Sequence, residues 1–334
     1  MTEWNKEMEK KILKKSRFTL TIRILRLLLI VVLLYGIYII ILNIATDKMN
    51  MAEENDFYTK LALEWKNPNL RGQYGYEEEN ITPFGTKKLS YTLIKKVGRS
   101  DTVVGEAEIT KSIINHNSFI EYDLPAKGQY DGFSFSYLED PRTARKLEAN
   151  PQPGVWETLE MLHEGTVAEL AFSTDRFMSP EELLEALSSY DVDVLWMPLH
   201  TGEFENFTPG YGTSGDNLLV DNMIGLTGAR TVSEDFISSS SLAHRLDRTT
   251  IEDSQEVMLQ HIEALLSEKP SSYYEGFLGL GHLEERYNYL KENGFIVYGA
   301  VVTGPVKELL KLQDEEMIQG EQLGEVELWN WENQ

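Results

Sequence analysis

Six histidines (His116, His163, His200, His244, His261 and His282) and no cysteine bound the reactive chemistry open to this chain. Without thiols there are no disulfides, thiolate metal sites or cysteine nucleophiles. No two histidines stand three or four residues apart, the spacing that aims both at one metal from a helix face. Residues 238–241 form a serine run that lacks the G-x-S-x-G elbow of a serine hydrolase. Gly210, Gly212 and Gly215 fit G-x-G-x-x-G, but a proline precedes them and Asn217, Leu218, Leu219 and Val220 follow as strand or loop. A dinucleotide fingerprint needs a helix there to receive phosphate. The glycines at 276, 279 and 281 are out of register with the same motif. His200 is the best-placed polar residue: it ends an apolar run that reads as a strand and precedes Thr201, Gly202 and Glu203. With Phe204, Phe207 and Tyr211 it makes a candidate outer binding surface, in which aromatic rings supply the contact area. No catalytic, cofactor-binding or metal-ligating residue is assigned.

Those four residues open a stretch, 201–250, rich in glycine and serine and only patchily apolar. A loop of that length on a compact domain is either functional or disordered. Regular elements flank it. Residues 167–173 and 192–199 read as strands, joined by a helix that Ser179, Pro180 and Glu182 open as cap, first-turn proline and capping-box acid. Leu183, Leu184 and Leu187 form its apolar stripe. The plan repeats near the end, with strands at 296–303 and 325–331 around a helix carrying Leu309, Leu310 and Leu312. Two amphipathic helices lie between, one marked by Met258, Ile262 and Leu265, the other by Leu283, Tyr287 and Leu290, with Gly294 as terminator. Two strand–helix–strand units predict an α/β sandwich over 150–334, with a sheet of mixed direction and a ferredoxin-like split βαβ order.

Upstream, the pattern alternates. Leu89, Tyr91 and Leu93 share one face, as do Phe133, Phe135 and Tyr137, and Phe57, Leu61 and Trp65 recur at helical spacing before Pro68. Residues 47–149 thus form a small, mainly β membrane-proximal domain, bounded by the Pro/Gly-rich stretch 150–154. The fold class is α+β.

The membrane assignment comes from residues 27–46, LLLIVVLLYGIYIIILNIAT, which carry no charge. Twenty helical residues rise about 30 Å, the thickness of a bilayer's hydrocarbon core. The run is too long for a signal peptide, and no small-x-small cleavage site follows. Eight basic residues against three acidic ones precede it within 1–26, so the positive-inside rule puts the N-terminus in the cytoplasm and the remainder outside. In the basic segment Trp4, Met8 and Ile12 recur every four residues among Lys10, Lys11, Lys14, Lys15 and Arg17. That is a basic amphipathic helix, suited either to the anionic inner leaflet or to docking a cytoplasmic or membrane partner. Charge divides the chain in two. The whole is −23, and removing residues 1–26 leaves 23 basic and 51 acidic residues, a net of −28. Such an excess repels phosphate backbones and excludes direct nucleic-acid binding by the outer part.

Two stretches resemble the sigma-factor regulator family of Gram-positive bacteria: the basic run from Trp4 into the apolar segment, and the region from Gly165, Thr166 and Val167 through Gly299, Ala300, Val301, Val302, Thr303, Gly304 and Pro305 to the end. The resemblance implies a membrane-bound anti-sigma protein whose cytoplasmic part meets an extracytoplasmic-function sigma factor while its outer domain responds to envelope conditions. The residues by themselves support a binding or signalling role over an enzymatic one, with no cofactor expected. Residues 1–26 offer one helix and no independent core, so a second subunit supplying the sigma-binding domain is expected to share the task. The alternatives are an envelope structural or assembly factor, whose basic end merely anchors it, and a surface hydrolase centred on His200.

Overall fold

The computed structural model describes residues 6–48, 51–79, 81–113, 117–124, 132–141, 143, 145–214, 217–234, 236, 238–241 and 245–331. It begins with one unbroken helix, α1 (Lys6–Lys48), whose 43 residues make a rod about 65 Å long. This is a helix long and apolar enough to cross a membrane, and none of the side chains in its apolar window is buried. Helix α2 (Met51–Lys66) follows, stopped ahead of Pro68, and twelve of its 16 residues are buried. Next comes an antiparallel sheet of β1 (Leu70–Gly72), β2 (Glu77–Glu78), β3 (Thr86–Val97), β4 (Ser100–Ser112) and β5 (Phe119–Asp123), in which β3 and β4 form a long hairpin. Strand β3 alternates strictly between half-buried and buried residues, the signature of a sheet covered on one face.

A short ladder, β6 (Glu139–Asp140) with β7 (Arg145–Lys146), and helix α3 (Val155–Met161) lead into β8 (Thr166–Met178), α4 (Pro180–Leu187) and β9 (Asp193–His200). Helix α4 starts as its sequence dictates: the Ser179 side chain accepts from the Glu182 N–H at 3.1 Å with Pro180 in the first turn. The stretch 201–250 carries more regular structure than a loop. It holds the hairpin β10 (Tyr211–Ser214)/β11 (Asn217–Val220), the edge strand β12 (Gly225–Thr227) and the ladder β13 (Arg230–Val232)/β14 (Ser239–Ser241). The G-x-G-x-x-G run therefore belongs to a hairpin, with Gly215 outside the described residues. After α5 (Ile251–Glu268), a π-helical turn at Ser272–Phe277 and α6 (Leu283–Asn293), the chain returns through β15 (Ile296–Pro305), α7 (Val306–Leu310) and β16 (Ile318–Leu328).

The second large sheet has the order β12-β9-β15-β8-β16, and all four of its pairings are antiparallel. The mixed direction expected from the sequence is replaced because β15 inserts between β8 and β9. The two strands that α4 joins are thus never hydrogen-bonded neighbours. A second correction concerns residues 133–137. Phe135 and Tyr137 are buried as their alternation predicts, but the segment forms no ladder apart from one bridge, Ser136 to Leu219. Side chains take the place of a neighbouring strand: the Ser136 N–H donates to Ser173 Oγ and the Ser134 N–H to Gln322 Oε1, both at 3.0 Å.

One apolar cluster joins α2, the inner face of the first sheet (Leu89, Tyr91, Leu93, Ile109), the second sheet (Leu170, Phe172, Met197, Val302) and helices α4 to α6. The core thus draws residues from both sides of the 150–154 stretch. A second cluster, with Phe135, Trp196 and Tyr298, covers the opposite face of the second sheet.

Candidate functional site

Three regions bear on function: the basic N-terminal end of α1, the helix α2 behind it, and the loop that follows β9. Along α1, Met8 and Ile12 are each 62% exposed, and Lys10, Lys11, Lys14, Lys15 and Arg17 are exposed as well; Trp4 lies outside the described residues. The helix runs without interruption from this basic segment into the apolar one. Residues 6–26 therefore continue the axis of the spanning part for about 30 Å.

The loop after β9 brings His200, Phe204 and Tyr211 into one chain of ring contacts through Tyr137, mostly as interior packing, and puts Phe207 in a separate stack. His200 lies against Phe177 at 4.8 Å and Tyr289 at 4.9 Å, Tyr137 meets Phe204 at 5.4 Å, and Phe204 meets Tyr211 at 5.5 Å. Phe207 stacks on His282 at 4.5 Å beneath the Arg286 guanidinium. His200 and Phe207 are buried, and Tyr211 is the one exposed member, at 42%. Beside them sits a closed polar cluster. Glu203 accepts from the Thr201 hydroxyl and N–H, both at 2.6 Å, from Arg286 at 2.7 Å, and lies 3.2 Å from His200 Nδ1. Tyr137 donates its hydroxyl to the Glu203 carbonyl at 3.2 Å. Burial alone would raise the Glu203 pKa, but the hydrogen bond from His200, the Arg286 charge and the Thr201 donors outweigh it and hold the carboxyl down to about 2. Arg286 in turn binds the carbonyls of Gly281 and Asn222, at 3.0 and 3.1 Å. The cluster ties β9, α6 and the loop together with charge that has left water, and its geometry fixes conformation. Gly202, at φ 88°, is required there because a Cβ would meet the Tyr289 ring at 2.7 Å.

Sequence reasoning missed the polar interior around α2. Phe57, Leu61 and Trp65 are buried as expected, but so are Lys60 and Glu64 on other faces of the helix. Glu64 pairs with Arg230, and that guanidinium also donates to the Gly72 carbonyl at 3.1 Å and lies over the Tyr74 ring. Lys60 binds Asp56 and the Gly75 carbonyl; burial lowers its pKa and raises that of Asp56. From beyond residue 150, Trp196 Nε1 donates to the Glu64 carbonyl at 3.1 Å and Tyr273 to Asn55 at 3.1 Å, while Lys66 reaches the Leu278 carbonyl at 2.9 Å. The helix next to the membrane segment is thereby locked on all sides.

A cleft of about 860 Å³ opens on the outer face of the first sheet between Tyr74, Tyr76, Thr92 and Glu106. It adjoins a 500 Å³ trough lined by Glu77, Glu78, Glu79, Glu108 and Glu121. Among the described residues no group of three or more histidine, aspartate or glutamate side chains is placed to hold a metal ion.

Comparison with known proteins places this architecture. Residues 10–102 match the family model described as sigma factor regulator N-terminal, and residues 159–325 match sigma factor regulator C-terminal. A protein of Bacillus subtilis (strain 168) named as a probable anti-sigma-M factor, YhdL, is 26% identical over 266 residues. That alignment covers 79% of this chain and 66% of the relative, just under two thirds of its length. No solved structure matches.

Proposed function

The chain belongs to the sigma factor regulator family, and from that premise we propose that it is a membrane-anchored anti-sigma factor, or the membrane co-regulator of one, acting on an extracytoplasmic-function sigma factor. The observation that carries the proposal is the continuity of α1 from its basic end through the apolar run, with α2 buried in the outer domain directly behind it. The charge asymmetry supports an N-terminus in the cytoplasm and an outer domain in the extracytoplasmic space. The exposed face of Met8 and Ile12 among lysines offers a docking surface for the sigma factor or a co-regulatory subunit. Lysines nearest the bilayer meet anionic headgroups, each contributing about 1 kcal/mol. The outer domain acts as the sensor, with the loop bearing His200, Phe204, Phe207 and Tyr211 as its candidate contact region, in a non-enzymatic role. We read the order β9-β15-β8-β16 as a split, ferredoxin-like arrangement extended by the edge strand β12. Deleting residues 2–16 is the test: recovery of the partner after crosslinking in cells is lost while membrane insertion persists. Undiminished recovery refutes docking by this helix.

A further inference from the structure

The turn between β2 and β3 lies beside the spanning helix. Tyr38 in α1 donates its hydroxyl to the Pro83 carbonyl at 2.8 Å, and Lys87, at the start of β3, is 3.8 Å from Asp47 at the end of α1. Tyr38 precedes Thr46, the last residue of the apolar run, by eight positions, about 12 Å along the helix. The end of the first sheet thus reaches back along α1 to the level of the apolar segment. Its surface there differs from the rest of a domain that carries a net −28. Residues 81–86, Ile-Thr-Pro-Phe-Gly-Thr, have no charge, and Phe84 at the tip is 90% exposed. Ile113, whose N–H donates to the Gly85 carbonyl at 3.0 Å, is 43% exposed, and Phe119, at the same end of the sheet, is 49% exposed.

An apolar solvent requires internal partners for the chain's polar groups, and the backbone on either side of Phe84 has them. Thr82 donates to the Thr86 carbonyl at 2.8 Å and Gly85 to the Thr82 carbonyl at 2.9 Å; the Thr86 N–H meets Thr82 Oγ1 at 3.2 Å. The Pro83 carbonyl, which water would otherwise satisfy, takes the Tyr38 hydroxyl, itself set in the apolar helix. We propose that this turn is a second membrane contact: Phe84, flanked by Ile113 and Phe119, inserts into the acyl chains of the outer leaflet and seats the outer domain against the bilayer next to α1. This rests on the reading of α1 as a spanning helix. An aromatic ring more exposed than the lipid-facing residues of α1 has the bilayer as its occupant because the same turn is hydrogen-bonded to the helix that crosses it.

The absence of cysteine makes the test direct, since one introduced thiol takes one label. Full-length Phe84→Cys, Val103→Cys and Leu33→Cys, each carrying an environment-sensitive fluorophore, are placed in nanodiscs of phosphatidylglycerol and phosphatidylethanolamine. Quenching is read with lipid spin-labelled high on the acyl chain and with aqueous iodide. Val103 sits at the far end of the β3–β4 hairpin, and Leu33 lies within the apolar run of α1. The expected result is that position 84 follows position 33, quenched several-fold more by the lipid than position 103 and shielded from iodide. Position 84 behaving as position 103 while position 33 stays lipid-quenched overturns the contact and leaves the span intact. If position 33 is also open to iodide, the span itself fails. A benzoylphenylalanine in place of Phe84 keeps the ring and guards against partitioning by the dye: lipid adducts on photolysis are expected, and adducts to protein alone refute the insertion.

Discussion

Replacing Arg230 by methionine removes the partner of a carboxylate that has almost no contact with water. Glu64 is 2% exposed and Arg230 6%, on segments 166 residues apart in sequence. Breaking such a pair from one side costs about 3–5 kcal/mol, because the remaining charge stays buried without compensation. Replacing both partners by apolar groups of similar volume is near neutral, since desolvation of the pair already offsets much of its attraction. The expectation is therefore non-additive: Arg230→Met and Glu64→Met each cost about 3–5 kcal/mol, and the double variant recovers most of that loss. The Gly72 carbonyl and Tyr74 ring also lose contacts when Arg230 goes. Some residue of the cost, about 1 kcal/mol for one hydrogen bond, should thus survive in the double variant. Denaturant unfolding of the full chain in nanodiscs, followed by tryptophan fluorescence, measures the cycle, with Trp65 and Trp196 as reporters inside the affected core. Single-variant losses that simply add in the double variant would refute the claim that these charges act as a buried pair.

Two further expectations concern the outer domain. Glu203, held down to about 2 from 4.5, contributes stability that is present above about pH 4.5 and lost as pH falls toward 2, in all about 3 kcal/mol; in acid titrations Glu203→Gln should lower stability at neutral pH and flatten that part of the profile. At Gly225 an added Cβ would lie 2.1 Å from the Trp196 indole, so Gly225→Ala should cost more than about 1 kcal/mol and free the edge strand β12, read as faster amide exchange at residues 225–227.

Periodic elements were legible from the sequence alone. The cap at Ser179, the stripe of Met258, Ile262 and Leu265, and the stop at Gly294 stand where local chemistry puts them, because each depends on neighbours within one or two turns. Reading failed where the deciding partner was distant. Lys60 and Glu64 look like the solvated face of an amphipathic helix, and only the approach of Arg230 and Trp196 across the fold puts them inside. In α6 the sequence stripe named Tyr287, which is half-buried, whereas Arg286 turns inward to meet Glu203. Composition misled over 201–250 as well: glycine and serine there build the ladders β10/β11 and β13/β14 within the segment, while β12 finds its partner, β9, outside it. The grouping of His200 with Phe204, Phe207 and Tyr211 came from sequence proximity; ring contacts link His200, Phe204 and Tyr211 through Tyr137, Phe207 stacks on His282 instead, and the Glu203–Arg286 pair beside them links residues 83 apart. Nor does any periodicity mark Phe84, whose meaning comes from the position of Tyr38.

On the proposed topology, the locked state of α2 constrains how an outer event reaches the basic end of α1. Melting α2 would expose the Glu64–Arg230 pair together with Asn55, Lys60 and Lys66, each bonded to a different part of the fold. With several kcal/mol at that pair alone, a ligand would need a correspondingly large differential affinity to drive the change. Moving α2 as a rigid body with the outer domain requires none of these contacts to break. The lever is long. Lys6 stands 41 residues from Asp47, about 60 Å along α1, so a tilt of about 5° at the far end displaces the basic tip sideways by roughly 5 Å. A contact of the Phe84 turn with the outer leaflet would set the resting angle of that lever, because Tyr38 ties the turn to α1 inside the apolar segment. On the proposed topology, tilt of one continuous rod is therefore the lowest-cost route by which this fold can convert a change outside into a change of contact at Met8 and Ile12.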